Sequence, residues 1–185
     1  MQSVIYSIDE RLGNPGDTLP VEGHLDETGY KLGEHEFSLP KGIDYDVVLT
    51  NAGEGILVSG MLRAHVVGTC DRCLEDAEFD ISSEVDEYYL FEEPEHPDGD
   101  DSDDDLEYSL VADDNTIDLA DAFLTALVME TPYIVLCKED CLGLCPVCGA
   151  NLNEEDCGHA AKIEEERAAS NPFAVLKNLD LGDGE

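Results

Sequence analysis

Apolar and polar residues alternate along much of the first half of the chain. This pattern predicts β-strands, because successive side chains of a strand point to opposite faces. The clearest alternation runs through residues 79–91, whose apolar face is formed by Phe79, Ile81, Val85, Tyr89 and Phe91. Further strands are predicted at residues 4–8, 45–50 and 56–67. Gly60, inside the longest of these, is a candidate β-bulge.

After residue 115 the apolar residues recur at helical spacing. A helix is predicted over residues 118–130, where one face carries Ala120, Leu124, Leu127 and Val128. Asp118 is expected to cap this helix and Pro132 to end it. A second helix is predicted at residues 162–169. Asn171 and Pro172 then begin a segment that could dock on the core or on a partner through Phe173, Leu176 and Leu179.

An acidic stretch separates the two patterns. Residues 92–114 hold twelve Asp and Glu and no Lys or Arg. This composition is typical of a solvated, flexible linker, and capture of basic segments is the alternative role. The sequence therefore predicts a single α+β domain with a β-rich N-terminal half (1–92) and a flexible acidic linker (93–115). Residues 116–185 would supply one core helix, a knuckle built from Cys and His, and short helices.

Charge narrows the range of partners. The 185-residue chain carries only nine Lys and Arg and has a formal net charge of −36. Direct binding to DNA or RNA needs clusters of basic residues, so this chain is predicted to favour basic partners instead. Its apolar runs fall short of the roughly 18 residues that span a bilayer. The N-terminus lacks the features of an export signal, so we expect a cytoplasmic protein without membrane contact.

The cysteines are the strongest chemical signal. Seven cysteines in a chain predicted to stay in the reducing cytoplasm indicate metal ligands rather than disulfides. Structural zinc takes four Cys or His ligands. The candidate ligands divide into two quartets: Cys70, Cys73, Cys137 and Cys141 form one, and Cys145, Cys148, Cys157 and His159 form the other. The sequence thus predicts two structural Zn²⁺ ions, and Gly149 is expected to adopt a positive φ just after Cys148.

The same cysteines allow other arrangements. A single zinc ribbon would combine Cys70 and Cys73 with Cys145 and Cys148, and the spacing alone leaves this arrangement open. The spacing of residues 141–148 also matches an iron–sulfur motif of radical enzymes, but the chain is too short for such a barrel. A redox Cys-x-x-Cys pair would open a helix, whereas Cys70 and Cys73 lie between strands. A catalytic zinc would keep one coordination position open, which full Cys and His ligation does not allow.

Three segments of the chain are distinctive: residues 68–74 (GTCDRCL), 137–153 (CKEDCLGLCPVCGANLN) and 171–176 (NPFAVL). Together they resemble the YceD family of large ribosomal RNA subunit accumulation proteins. The resemblance covers most of the chain from about residue 56, and its middle segment is the most specific. Relatives often have cysteine where this chain has His159. Some relatives keep only the ligands that match Cys70, Cys73, Cys137 and Cys141, which favours two sites over one ribbon.

The resemblance implies a role in 23S rRNA accumulation and large-subunit assembly, with no established enzymatic activity. Because the chain is so acidic, we expect it to reach rRNA indirectly, by holding a basic ribosomal protein or assembly factor. Two other functions stay open at this point: a zinc-dependent or thiol-redox enzyme, and a general acidic chaperone for basic proteins. Ligand count separates the first of these from an assembly factor, because an enzyme needs a free thiol or an open metal position.

Overall fold

A computed structural model describes residues 1–93 and 109–170 of the chain. The strands are β1 (Ile5–Ser7), β2 (Thr18–Leu25), β3 (Gly29–Leu32), β4 (His35–Ser38), β5 (Ile43–Asn51), β6 (Gly55–Thr69), β7 (Asp76–Leu90), β8 (Ser109–Leu110) and β9 (Thr116–Asp118). The helices are α1 (Ala120–Glu130) and α2 (Ala160–Ser170), with a 3-10 turn at Glu10–Leu12. The predicted fold class is confirmed: the protein is β-rich, with one core helix and a C-terminal cysteine cluster.

The long hairpin of β6 and β7 is the centre of the main sheet. Its antiparallel register is continuous over 15 residue pairs, from Gly55 opposite Leu90 to Thr69 opposite Asp76. β5 pairs with the other side of β6, and β2 lies outside β5. The short hairpin of β3 and β4 continues that side of β6 beyond the end of β5. The hairpin end at Thr69 and Asp76 therefore projects a turn that holds Cys70 and Cys73.

Three strands between residues 18 and 38 were not predicted. β2 contains Pro20 and Gly23, which weaken a strand pattern, but proline is tolerated at a sheet edge, where β2 lies. β3 and β4 are only four residues each, and a two-residue turn at Gly33 and Glu34 joins them. A two-residue connection that includes glycine is a known hairpin signal. The tertiary partners of these strands, rather than their own periodicity, make them part of the sheet.

The core lies between one face of the sheet and α1. Phe123 and Leu127 of α1 are fully buried against β7 and β6, and the ring of Phe123 lies 4.9 Å from that of Tyr45 on β5. On β7 the predicted apolar face is largely buried, with Ile81, Val85 and Tyr89 in the core. Phe79 is only half-buried and Phe91 is exposed beyond the strand end. None of the helices in the described ranges is long and apolar enough to cross a membrane.

The prediction of a bulge at Gly60 is wrong. Gly60 pairs regularly with Val47 on one side and Val85 on the other, so the ladder runs through it without an extra residue. A Cβ atom at this position would collide with the β5 backbone at Asp46 and Val47. The glycine is therefore required by close approach of two strands rather than by a break in their register.

The helix prediction is confirmed in its extent, but its cap differs. The N-cap residue is Leu119, because β9 continues through Asp118, which pairs with Ile5 of β1. Asp118 still serves the helix start, since its carboxylate accepts hydrogen bonds from the backbone N–H groups of Ala120 (3.0 Å) and Val4 (2.8 Å). The helix ends at Glu130, before Pro132, as expected.

Part of the segment predicted as linker contains a strand. β8 pairs in parallel with the end of β7, and Ser109 donates a hydrogen bond to Glu87 across that pair (2.8 Å). Residues 94–108, which hold most of the acidic side chains of the predicted linker, lie outside the described residues. The same holds for the predicted C-terminal segment at residues 171–176.

Candidate metal centres

The turn that joins β6 to β7, called here the first knuckle, is closed by two backbone hydrogen bonds. The N–H of Cys70 donates to the carbonyl of Glu75 (2.8 Å), and the N–H of Leu74 donates to the carbonyl of Cys70 (3.0 Å). Leu74 takes a φ of 66° to close this turn, which is uncommon for a residue with a side chain. The turn brings Cys70 and Cys73 to the same side, and both are buried.

The segment around Cys145 repeats this pattern. The N–H of Cys145 donates to the carbonyl of Ala150 (2.8 Å), and the N–H of Gly149 donates to the carbonyl of Cys145 (2.8 Å). Gly149 occupies the position of Leu74 in the first turn and has a φ of 76°, which confirms the prediction of a positive φ there. Two unrelated stretches of sequence thus form the same knuckle, and only the second shows the expected glycine.

Hydrogen bonds fasten the segment after α1 to the hairpin turn. Asp71 and Val135 exchange two of them: the N–H of Asp71 donates to the carbonyl of Val135 (2.8 Å), and the N–H of Val135 donates to the Asp71 carboxylate (2.7 Å). Arg72 donates from Nη1 to the carbonyl of Cys141 (2.8 Å), and its own carbonyl accepts from Leu144 (3.0 Å). These contacts hold Cys137 and Cys141 next to the turn that contains Cys70 and Cys73.

The first quartet has the dimensions of a tetrahedral thiolate site. The sulfur atoms of Cys70 and Cys141 are 3.8 Å apart, although 71 residues separate them in sequence, and those of Cys73 and Cys137 are 3.5 Å apart. All four ligand atoms lie within 4.8 Å of one another. A tetrahedron with metal–sulfur bonds of about 2.3 Å requires sulfur–sulfur distances of about 3.8 Å. The four side chains therefore fit one ion of this kind.

The second quartet is more open to solvent and closes within fifteen residues of sequence. It groups Cys145, Cys148, Cys157 and His159, again with all ligand atoms within 4.8 Å. The Cys145 sulfur lies 3.7 Å from Nδ1 of His159, close to the value of about 3.6 Å that a tetrahedral site with one nitrogen ligand requires. His159 immediately precedes α2, and its carbonyl accepts the hydrogen bond of Ile163 inside that helix.

The protein environment favours thiolate at the first cysteine of each knuckle. Burial raises the pKa of Cys70, but backbone N–H groups of Cys137, Cys73 and Arg72 outweigh it and lower the pKa to about 6. Burial likewise raises the pKa of Cys145, but hydrogen bonds from the backbone N–H groups of Cys148 and Val147 outweigh it and lower this pKa to about 6.

Contacts between the clustered thiols, together with burial, limit how many thiols of the first quartet ionise together. Contact with the Cys73 thiol, followed by burial, raises the pKa of Cys137 to about 12. A divalent cation would supply the positive charge that lets all four sulfurs bind as thiolates. Each quartet is therefore suited to a cation in chemistry as well as in size.

The structure brings together the two quartets that the sequence favoured. Each of the seven cysteines, all of which lie in the described residues, belongs to one of them. The ribbon quartet of Cys70, Cys73, Cys145 and Cys148 does not form a ligand cluster in the described part of the chain. Both clusters could hold metal ions in closed sites, with every protein ligand supplied by Cys or His.

Three residues that support the sites were missed by sequence reasoning. They are Asp71 and Arg72, which fasten the hairpin tip to residues 135–144, and Asn153, whose side-chain amide donates to the Cys141 sulfur (3.3 Å). Asp71 and Arg72 lie between the two knuckle cysteines, and Asn153 ends the distinctive GANLN sequence. These positions were the available signal, but the partners of these residues became visible only in the fold.

A family model described as "Large ribosomal RNA subunit accumulation protein YceD" matches residues 58–180. Uncharacterized proteins of Mycobacterium bovis and Mycobacterium tuberculosis are each 36% identical to the chain over 119 residues, covering 63% of this chain and 54% of each relative. An uncharacterized protein of Mycobacterium leprae is 29% identical over 159 residues, covering 84% and 70%. The matched region thus spans about half the length of the first two relatives. No solved structure matches the chain.

Proposed function

The chain belongs to the YceD family, and on this premise we propose that it is a non-enzymatic factor in ribosome biogenesis. In this proposal the protein acts in the cytoplasm and is needed for accumulation of 23S rRNA and assembly of the large subunit. The observation that carries the proposal is the extent of the family match, which includes β7, α1 and all eight ligands of both quartets.

We assign zinc to both quartets, with a structural role. Zinc is usually tetrahedral in structural sites. Its common structural ligand sets include four thiolates, and three thiolates with one imidazole. The first ion would join the β6–β7 hairpin to the segment after α1, and the second would hold the start of α2 to its knuckle. Closed ligation supports a non-enzymatic role, because no coordination position is left for substrate or water.

The charge of the protein supports a basic protein partner. On β7 the residues that face away from the core are acidic at five of six consecutive outward positions, and all five are exposed: Asp76, Glu78, Asp80, Glu84 and Asp86. The linker adds a second acidic segment. Such a surface accelerates encounter with a cation-rich ribosomal protein or assembly factor and repels phosphate. Contact with rRNA would then be indirect.

The ribosomal role is tested by depleting the protein in its native host and measuring the ratio of 23S to 16S rRNA. We expect that ratio to fall, and we expect the wild-type gene to restore it. A variant with Cys70→Ser and Cys73→Ser should fail to restore it, because the hairpin would lose its metal joint. An unchanged ratio after full depletion would contradict the proposed function.

The metal assignment is tested on protein purified without added metal. We expect two zinc ions per chain in the wild type and one in Cys145→Ser. All seven thiols of the zinc-loaded protein should resist alkylation, since each is a ligand. A thiol that reacts as fast as free cysteine would favour the thiol-enzyme alternative.

The partner is tested by capture from growing cells at low salt. One variant changes the five acidic residues of β7 named above to the matching amides. A matched control removes the same number of charges from the linker by changing the aspartates at residues 98, 100, 101, 103 and 104 to Asn. We expect capture of a basic ribosomal protein or assembly factor by the wild type and loss of capture in the β7 variant. Retention of the partner by the β7 variant would contradict a role for this acidic surface, and capture of basic proteins without selectivity would favour the general acidic chaperone.

A further inference from the structure

Asn153 connects the two candidate metal sites. It follows the second knuckle in sequence, yet its side-chain Nδ2 lies 3.3 Å from the sulfur of Cys141, a ligand of the first site. Its Oδ1 accepts a hydrogen bond from the backbone N–H of Leu142, the residue next to that ligand (2.9 Å). A side chain that follows the second knuckle therefore contacts both a ligand sulfur of the first site and the backbone beside that ligand.

The orientation of this amide is set by its neighbours. Nδ2 also donates to Oδ1 of Asn151 (2.9 Å), and that same oxygen accepts from the backbone N–H of Asn153 (3.0 Å). The Leu142 N–H requires an oxygen on one side of the amide, and the Asn151 oxygen requires a nitrogen on the other. A flipped amide would lose both bonds, so the donor group is the one that faces the Cys141 sulfur.

The loop that carries Asn153 is built on the second knuckle. Residues 144 and 151 form an isolated β-bridge, and the N–H of Leu152 donates to the carbonyl of Gly143 (2.9 Å). Cys145 and Cys148 lie inside the bridge, and Cys157 and His159 follow it closely. A metal held by these four ligands would fix the loop at both ends and so hold Asn153 in place. Without that metal, only the hydrogen bonds would position the amide.

We propose that Asn153 is a positioning residue that donates to the Cys141 thiolate and thereby couples the two sites, so that metal at the second site strengthens metal binding at the first. The inference rests on the proposed function only in that both quartets bind metal. By linkage the coupling is reciprocal, and metal at the first site strengthens the second by the same factor. Loss of such a supporting hydrogen bond typically weakens metal binding by about 10-fold to 100-fold.

The test compares three variants of the full chain, with Zn²⁺ affinity measured by chelator competition and Co²⁺ used as a spectroscopic probe. Asn153→Asp keeps an oxygen for the Leu142 N–H but removes the donor to sulfur. Asn151→Asp is the control for added charge, because it keeps the acceptor that Asn153 uses. Cys157→Ser disables the second site directly. The two sites are distinguished by their Co²⁺ spectra, since one has four sulfur ligands and the other has three sulfurs and one nitrogen.

We expect Asn153→Asp to weaken the first site at least 10-fold beyond the Asn151→Asp control. The thiolate-to-cobalt absorption of the first site should move to lower energy, because an unbonded sulfur holds its electrons less tightly. A merely structural role would not move this band. Cys157→Ser should weaken the first site to a similar degree, and the double variant should be little worse than Cys157→Ser alone.

Two results would overturn the coupling: a first site with unchanged affinity and spectrum in Asn153→Asp, or effects of Asn153→Asp and Cys157→Ser that simply add. Purified wild-type protein without bound metal would instead refute the structural metals of the proposed function. The metal content of the wild type therefore separates failure of the proposed function from failure of the coupling. Far-UV circular dichroism of each variant establishes that the sheet is retained.

Discussion

The buried hydroxyl pair of Tyr30 and Thr131 gives a sharp test of how the β half holds α1. The Tyr30 and Thr131 oxygens are 2.6 Å apart, and Thr131 donates its only hydroxyl proton to the carbonyl of Leu127 (2.7 Å). Tyr30 must therefore be the donor to Thr131. Both residues are less than a tenth exposed. The pair fixes the end of α1 to β3, six residues before Cys137, where the ligand segment begins.

The two single substitutions should differ in cost: both break the bond between Tyr30 and Thr131, and Thr131→Val also removes the one from Thr131 to the Leu127 carbonyl. Tyr30→Phe keeps the stacking on Phe37, whose ring lies 5.0 Å away, and loses one hydrogen bond worth about 1 kcal/mol. Thr131→Val leaves the Tyr30 hydroxyl buried without a partner, which adds a desolvation cost of about 1 to 3 kcal/mol. The Leu127 carbonyl stays satisfied in either case, because the backbone N–H of Thr131 also donates to it.

The double variant is the decisive measurement. Once both hydroxyl groups are removed, no polar side-chain group of the pair is left unpaired. Adding Tyr30→Phe to Thr131→Val should therefore recover about 1 kcal/mol or more of the free energy of unfolding. The assay is urea denaturation of the metal-loaded protein, followed by far-UV circular dichroism and by tyrosine fluorescence, since the chain has no Trp. Equal costs for the two single variants, or costs that add in the double variant, would refute the hydrogen-bond direction and the burial argument together.

Three further outcomes follow from the structure. Phe123→Ala should lower the free energy of unfolding by about 3 to 5 kcal/mol, because the fully buried ring packs on Tyr45, and the half-buried Leu124→Ala should cost less in the same urea assay. Gly143→Ala should lower the free energy of unfolding more than Gly149→Ala does. Both glycines have a φ of 76°, but a Cβ at Gly143 would lie 3.0 Å from the Arg72 carbonyl oxygen, whereas Gly149 faces open space. Equal costs would contradict the close approach at Gly143. Burial raises the pKa of Asp118, but hydrogen bonds from the N–H groups of Val4 and Ala120 outweigh it and lower the pKa below its ordinary value. The ionised carboxylate therefore stabilises the fold above the unfolded-state pKa of about 4, and this effect is lost as pH falls through the folded-state pKa. Asp118→Asn should therefore cost about 1 kcal/mol at pH 7, the difference from wild type should vanish in acid, and a difference independent of pH would contradict this.

Local sequence was sufficient wherever a short stretch creates its own constraint. Alternation in residues 79–91 and helical spacing in 118–130 predicted β7 and α1 because each pattern buries one face of one element. The Cys-x-x-Cys spacings located both knuckles, since two residues between ligands define a turn whatever surrounds it. Gly149 could be assigned its positive φ for the same local reason.

Local sequence was insufficient where partners lie far apart in the chain. Leu74 adopts the conformation of Gly149 without being glycine, because the hairpin on both sides of the turn over-determines it. β2 is a strand despite Pro20 and Gly23 because it has β5 beside it, and Gly60 is no bulge because both neighbouring strands keep register.

The amino-acid sequence by itself determined which atoms can bind metal, how the ligands pair locally, and that the surface repels anions. Only the tertiary structure decided that Cys70 and Cys73 meet Cys137 and Cys141, and that Asn153 reaches from one site to the other. Such meetings depend on the length and register of the β6–β7 hairpin and on hydrogen bonds such as those of Asp71 and Arg72. Spacing along the chain does not encode them, because the sulfur atoms that meet lie 71 and 64 positions apart and are brought together by contacts between separate elements.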